Sequence, residues 1–255
     1  MTGRSYFVEG IQGAGKSTMV ERLAKELPDY RVYREGDYSP VELAWCAYVN
    51  ASEYAGILKR YQGIAQEIED KTVREGDMYV ICYTRIITDI TGFHKDLEQY
   101  EIYNANRNRE EFSGIVLQRF RRYSGGNAIF ECSIFQNIIE NMILFFEMSD
   151  EEIVDFYREV REALGEKEYR IVYLEVDDVR AAEEVIRKER SDEDGNELWF
   201  PLMIRYLEES PYARHNGLLG MDGLVSHLLH RVRLEKRILK EIFGDCSEII
   251  LRKVL

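Results

Sequence analysis

The chain has no Cys-x-x-Cys pair. Its four cysteines, Cys46, Cys82, Cys132 and Cys246, stand apart in sequence, each beside apolar residues. They read as reduced core thiols of a cytosolic protein. Histidine is scarce: His94, His215, His227 and His230. The last two share a helix face with no third ligand nearby in sequence, so they read as packing or surface residues rather than zinc ligands. No apolar run is long enough to span a bilayer, and no secretory leader precedes the first strand. Asn50-Ala51-Ser52 fits a glycosylation sequon, which a cytosolic chain leaves unused. Positive charge is in deficit, 34 Lys and Arg against 47 Asp and Glu for a net charge of −13. This argues against a nucleic acid or an anionic membrane as partner. A small phosphorylated ligand needs only one local basic pocket. Repeats and low-complexity tracts are absent. At ~150 residues per domain, 255 residues make one large domain or a core with an insertion.

What is present is concentrated at the start. Gly10-Ile11-Gln12-Gly13-Ala14-Gly15-Lys16-Ser17 fits the phosphate-loop pattern of Gly, any four residues, Gly, Lys, then Ser or Thr. A β-prone stretch precedes it, and Met19, Val20, Leu23, Ala24 and Leu27 recur after it at helical spacing. Strand, glycine loop and helix are what the chemistry requires. Glycines let backbone N–H groups close around phosphate oxygens, and the helix N-terminus adds partial positive charge. Lys16 is placed to reach the β- and γ-phosphates, and the Ser17 hydroxyl to bind Mg²⁺, with Thr18 completing the loop.

Taken in order, Pro28 stops the first helix. Residues 31–35 read as a second strand, and Pro40 as the start of a helix over 41–61. A further helix is predicted over 64–74, a β-rich stretch over 78–84 and a helix over 110–123; residues 88–108 give no clear pattern. Residues 128–131 form a short apolar strand ending in Glu131, followed by a buried helix over 134–148. Ser149 and Glu152 make a capping box for a helix ending near Gly165. Residues 170–176 read as a strand, and Asp177 as the cap of a helix carrying Arg187 and Arg190. An acidic loop over 191–197 follows, then helices over 198–209 and 223–243 and a last strand over 248–254. Strands near residues 6, 32, 129, 172 and 250 alternate with helices, which predicts a parallel, three-layer α/β fold. Residues 64–127 break the rhythm and read as a mostly helical insertion in a single domain. Gly10, Glu35 and Glu131 all fall at carboxyl ends of strands, where such sheets bind ligands.

These residues together resemble the thymidylate kinase and deoxynucleoside kinase group of P-loop kinases. Residues 7–18 look like that group's first strand and loop. Arg34-Glu35-Gly36 is similar to the Arg-Glu-Pro of thymidylate kinases, and residues 35–45 to the Glu-Pro-Val-x-x-Trp of deoxynucleoside kinases. Glu131-Cys132-Ser133 is similar to their Glu-Arg-Ser, and residues 172–176 with Arg187 and Arg190 to their fourth strand and arginine-bearing lid. The resemblance implies a P-loop NTPase fold with a five-stranded parallel sheet and ATP and Mg²⁺ as cofactors. It further implies a small-molecule phosphoryl acceptor, Glu131 holding the metal through water, and Arg187 and Arg190 closing over the transferred group. Cys132 stands where the family has an acceptor-holding arginine, and the family continues past its last strand with a base-binding loop.

The leading expectation is therefore an ATP-dependent kinase of a nucleoside, nucleotide or similar small molecule. A nucleotide sensor without kinase activity is the alternative. A GTPase lacks its Asn-Lys-x-Asp motif here, and Ser124-Gly125-Gly126 matches a transport ATPase only by spacing. A hydroxyl acceptor is favoured, with Glu35 as the base and Asp37 in reserve, although Arg34, Arg85, Arg119 or Arg122 could serve a phosphate acceptor instead. Trp45, Tyr83, Gln136 and Asn137 are candidate pocket residues, equally readable as packing. Residues 64–127 are expected to recognise the acceptor or to form a homodimer interface.

Overall fold

Burial patterning in the strands divides the chain. Strands with Phe7, Val8, Ile129, Phe130, Ile171 and Leu174 fully buried belong to a parallel sheet, while a second group builds an antiparallel one. In this computed structural model, which describes residues 3–253 except 193, 195 and 198, the elements run in chain order as follows. They begin with β1 Ser5–Gly10, α1 Lys16–Glu26, β2 Arg31–Tyr33, β3 Ala47–Asn50, α2 Ala51–Arg60, α3 Ala65–Asp70, β4 Thr72–Glu75 and β5 Met78–Ile81. Next come α4 Phe93–Glu98, α5 Arg109–Arg122, β6 Ala128–Glu131, α6 Gln136–Leu144, α7 Asp150–Leu164, β7 Tyr169–Val176 and α8 Val179–Glu189. The chain closes with α9 Trp199–Glu209, α10 Pro211–Asn216, α11 Gly220–Ile242 and β8 Ser247–Arg252. Two compact units result: residues 1–32 with 124–255, and residues 33–123.

The first unit is an α/β fold on a five-stranded sheet of order β2-β6-β1-β7-β8. The central strand β1 pairs in parallel with β6 and β7, and β7 with β8. Parallel strands buried on both faces read as near-continuous apolar runs, as β1, β6 and β7 do, whereas the edge strand β8 is half exposed. Helix α1 packs on β1 and β6, and the long α11 packs on α7, α8 and α9. The Ser149–Glu152 capping box forms as expected at the start of α7. The cap of α8 is Asp178, whose carboxylate accepts from the Ala181 amide, and not Asp177. The expected helix over 134–148 contracts to α6. The Glu9 carboxylate takes the amides of Ile134 and Phe135, and Glu147 turns left-handed (φ 49°), freeing the chain for the next cap. Residue 254 of the last predicted strand lies outside the described residues, as do 193, 195 and 198 of the acidic loop and the helix after it.

The second unit is a three-stranded antiparallel sheet, β3-β5-β4, with α2 packed on β3 and β5. Val49, Ile57, Ile68, Ile81, Phe93 and Leu97 form its core. Here two helix expectations fail. The helix expected over 41–61 is an irregular segment, then β3, then α2. The Ser39 hydroxyl accepts from the Val41 and Glu42 amides, the Glu42 carboxyl turns back onto the Ala44 amide, and Trp45 adopts φ 62°. Pairing with β5 then extends residues 47–50. The helix expected over 64–74 ends at Asp70, because residues 72–75 pair with β5 across the two-residue turn Gly76-Asp77. Strand β3 therefore lies within the expected helix over 41–61, and β4 within the segment 64–127 read as mostly helical. Among the described residues, no helix is long and apolar enough to cross a membrane.

Candidate functional site

The glycine loop joins β1 to α1. Gly10 has φ 138°, and a Cβ there would lie 2.4 Å from the Leu174 carbonyl of β7, so no other residue fits without moving the sheet. Gly15 caps α1 in the left-handed conformation, and α1 begins with Lys16. No side chain caps this helix end, so its first amides are open to an anion. The Lys16 ammonium is nearly buried and donates to the carbonyls of Gly10 (2.9 Å) and Ile11 (2.7 Å). The cation is thus folded back over the loop it belongs to.

Strand β6 ends beside β1, with Val8 in register with Glu131. The Ser17 hydroxyl donates to Glu131 Oε1 at 2.6 Å, so the first turn of α1 and the carboxyl end of β6 share one point. A hydroxyl and a carboxylate are hard oxygen donors of the kind Mg²⁺ selects. Among the described residues no cluster of three or more His, Cys, Asp or Glu could hold a metal. A cation at Ser17 and Glu131 would therefore take its remaining ligands from phosphate and water, which is how Mg²⁺ usually binds. Cys132, directly after Glu131, is buried with φ 56°, and its sulfur lies 3.5 Å from Gln136 Oε1.

Helix α8 lies on the loop, for a Cβ at Gly13 would come within 3.2 Å of the Ala182 carbonyl and 3.4 Å of Ile186 Cδ1. Arg187, the next residue of α8, ion-pairs with Glu197 at 2.7 Å and stacks on Phe200 at 4.8 Å. Arg190 lies just past the helix end and stacks on Trp199 at 4.4 Å. Gln12 Nε2 is 3.5 Å from the Met203 sulfur. Ala14 is buried, while Ser17 and Thr18 are exposed.

Glu35 and Asp37 belong to the second unit. The Asp37 carboxylate pairs with Arg85 Nε at 2.9 Å, and Arg85 Nη2 donates to the Glu35 carbonyl at 2.7 Å. Arg119 donates to Glu75 and to the Ser39 carbonyl. Two of the cations named for a phosphate acceptor are thus engaged within their own unit.

Sequence reading missed a buried polar network in the first unit. Arg231 is fully buried on α11, with Nη1 2.5 Å from Glu140 Oε1 and Nε 2.9 Å from Glu235 Oε1. His227 Nε2 meets the other Glu140 oxygen at 2.5 Å, and the Tyr173 hydroxyl donates to Glu235 at 2.6 Å. Burial alone would raise the Glu140 pKa, but His227 and Arg231 outweigh it and hold it at about 2. Glu9, buried beneath the loop, is pushed up to about 7 by desolvation, partly offset by the amides it accepts. Glu183 on α8 is fully buried, and desolvation, partly offset by Arg231 and by Gln12, raises it to about 7. Arg252, at the end of β8, brings Nη2 to 3.1 Å from where a Gly15 Cβ would be. The i,i+4 spacing of Arg231 and Glu235 is visible in sequence, but such pairs normally face solvent. Nothing local marks this one as buried.

No protein-family model matches the chain, and no curated protein is significantly similar to it.

Proposed function

We propose that the chain is an ATP- and Mg²⁺-dependent phosphotransferase of the P-loop NTPase class, acting on a nucleoside, nucleotide or similar small molecule. The observation that carries this reading is the 2.6 Å contact of Ser17 with Glu131, made beside a loop whose lysine is folded onto its own carbonyls. A glycine loop that bound nothing would need neither the strand-end carboxylate at the serine nor a nearly buried ammonium. ATP supplies the phosphoryl group, and Mg²⁺ offsets its charge. Lys16 exchanges two carbonyl partners for phosphate oxygens, which are charged acceptors and stronger ones. Gly13 and Gly15 let the backbone amides approach, and Ser17 and Glu131 hold the cation. Arg187 and Arg190 are the lid cations, held until use by Glu197 and by two aromatic faces. For a hydroxyl acceptor Glu35 is the base, with Asp37, which pairs with Arg85, in reserve.

Lys16→Ala is expected to weaken ATP binding about 100-fold or more, measured by calorimetry, because charge-assisted phosphate contacts are lost. The far-ultraviolet circular dichroism should be unchanged; full affinity in a folded variant removes the assignment. Replacing Arg187 and Arg190 together with Ala is expected to lower kcat by about 10³ while KM for ATP and the melting temperature stay nearly constant. A screen of nucleosides beside their monophosphates, followed by ADP release and repeated with Glu35→Gln, tests the acceptor. ATP binding with no acceptor-dependent ADP release would favour the nucleotide sensor.

A further inference from the structure

The second unit contains a pair of thiols that its other chemistry does not use. Cys46 precedes β3 and Cys82 follows β5. The antiparallel register of those strands runs Ala47 to Ile81, so Cys46 and Cys82 are the next cross-strand pair. Their sulfurs are 3.7 Å apart. The Cys82 amide donates to the Lys71 carbonyl of the opposite neighbour, and the Cys46 amide to Leu43. The two residues therefore exchange no backbone hydrogen bonds. Such non-hydrogen-bonded antiparallel pairs have Cα atoms ~4.5 Å apart, within the ~4.4–6.8 Å that a disulfide spans. Sulfurs at 3.7 Å need only rotate to reach bonding distance.

We propose that Cys46 and Cys82 are an oxidative modification site: a dithiol that a two-electron oxidant of the peroxide class closes to a reversible cross-strand disulfide, clamping residues 35–46 onto the end of β5. That clamp would reinforce contacts already present, from Thr84 Oγ1 to the Trp45 carbonyl and from Arg85 to Asp37 and the Glu35 carbonyl.

Cys82 is the attacking sulfur. It is the less buried of the two, and the S–H of Cys46 donates to it, which holds its pKa below that of an ordinary thiol. The Cys82 sulfur attacks one peroxide oxygen. An S–O bond forms, the O–O bond breaks, and the departing hydroxide leaves as water with the thiol proton. Cys46 then attacks the Cys82 sulfur; the S–S bond forms, the S–OH bond breaks, and a second water carries off the Cys46 proton. The two thiols lose two electrons and two protons, and the peroxide is reduced to two waters. The site is independent of the nucleotide reading.

The test is to treat the full reduced chain with stoichiometric hydrogen peroxide, alkylate it under denaturing conditions, and measure intact mass and a peptide map. The expected result is loss of 2 Da, two thiols protected from alkylation, and a cross-link joining the peptides of Cys46 and Cys82 that dithiothreitol reverses. Cys46→Ser and Cys82→Ser should each abolish the cross-link, while Cys246→Ser should keep it. Oxidation should also slow amide exchange across residues 36–46 by about tenfold or more, as expected when local opening of a cross-linked segment is suppressed. A gain of 16 or 32 Da without a cross-link, a cross-link through Cys132 or Cys246, or four alkylatable thiols after treatment would overturn the proposal. A Cys46–Cys82 link with unchanged exchange would overturn the clamp.

Discussion

The two compact units are built on opposite kinds of sheet. In the first, every strand pair whose register is described is parallel, and each of β1, β6 and β7 is a run of apolar residues followed by a helix. In the second, all pairing is antiparallel between strands of four residues, and one of these, β3, passes directly into α2 through an Asn50 cap. The first kind can be read in order along the chain, because each strand is recognisable alone. In the second, whether residues 47–50 extend or coil is decided by β5, some thirty residues away. The buried polar groups differ in emphasis. The first unit places Arg231 between two carboxylates, one of which also accepts from Tyr173, whereas in the second two buried carboxyls meet tyrosine hydroxyls: Glu42 with Tyr103 at 2.6 Å and Glu101 with Tyr83 at 2.5 Å.

The sharpest test of that difference is Arg231→Met. It leaves Glu140 and Glu235 buried without their cation and should cost about 3–5 kcal/mol, read as the shift of a urea midpoint. Arg119→Met in the second unit should cost less, about 1–3 kcal/mol, because it strips the cation from one partly exposed carboxylate, Glu75, and not from two of which Glu235 is fully buried. Equal losses would show that the two units do not differ in this way.

A middle-sized effect is expected from pH. Burial raises Glu9, Glu183 and Glu101 to about 7 and Glu42 to about 8. For a carboxyl raised by folding, the native state holds its proton after the unfolded chain has released it. The stability it contributes is complete below pH ~4.5 and is lost as pH rises through 7–8, at about 1.4 kcal/mol per pKa unit. Glu140 has the opposite sign: its contribution is present above ~4.5 and is lost as pH falls toward 2. The melting temperature should therefore fall between pH 5 and pH 8.5, and Glu42→Gln, which stays neutral and can still accept from Tyr103, should flatten that fall. A flat profile for the parent chain would contradict the buried-acid reading.

The smallest effect should be the same in both units. Asn50 and Ser149 each head a capping box, one in each unit. Asn50→Ala and Ser149→Ala should each cost about 1 kcal/mol, since a cap is a local device that does not depend on which sheet lies beneath it. A tenfold larger loss at one of them would mean that the cap also anchors tertiary packing.

How much could be read beforehand follows from the same contrast. The glycine loop, the α7 cap, β6 and β7 were legible because their signals lie within a dozen residues. A hairpin signal exists in the second unit, for Gly76-Asp77 separates β4 from β5, but the helical spacing of residues 64–74 competes with it. For β3 there was no comparable signal. Pro40 followed by good helix formers reads as a helix start, and it is broken by the Ser39 hydroxyl, by the buried Glu42 carboxyl turned onto the Ala44 amide and by the left-handed Trp45.

By itself the sequence determined the strand–loop–helix of residues 5–26, with its lysine and serine, because backbone glycines, apolar alternation and helix caps act over a few residues and leave a local trace. It also placed Glu131 at a strand end. Tertiary structure alone decided that the Glu131 carboxylate meets the Ser17 hydroxyl, that Arg231 is buried between Glu140 and Glu235, and that Cys46 faces Cys82. Each of these depends on sheet register or helix docking between distant residues. Those are set by summed burial and hydrogen bonding across the whole fold, and no short stretch of sequence encodes them.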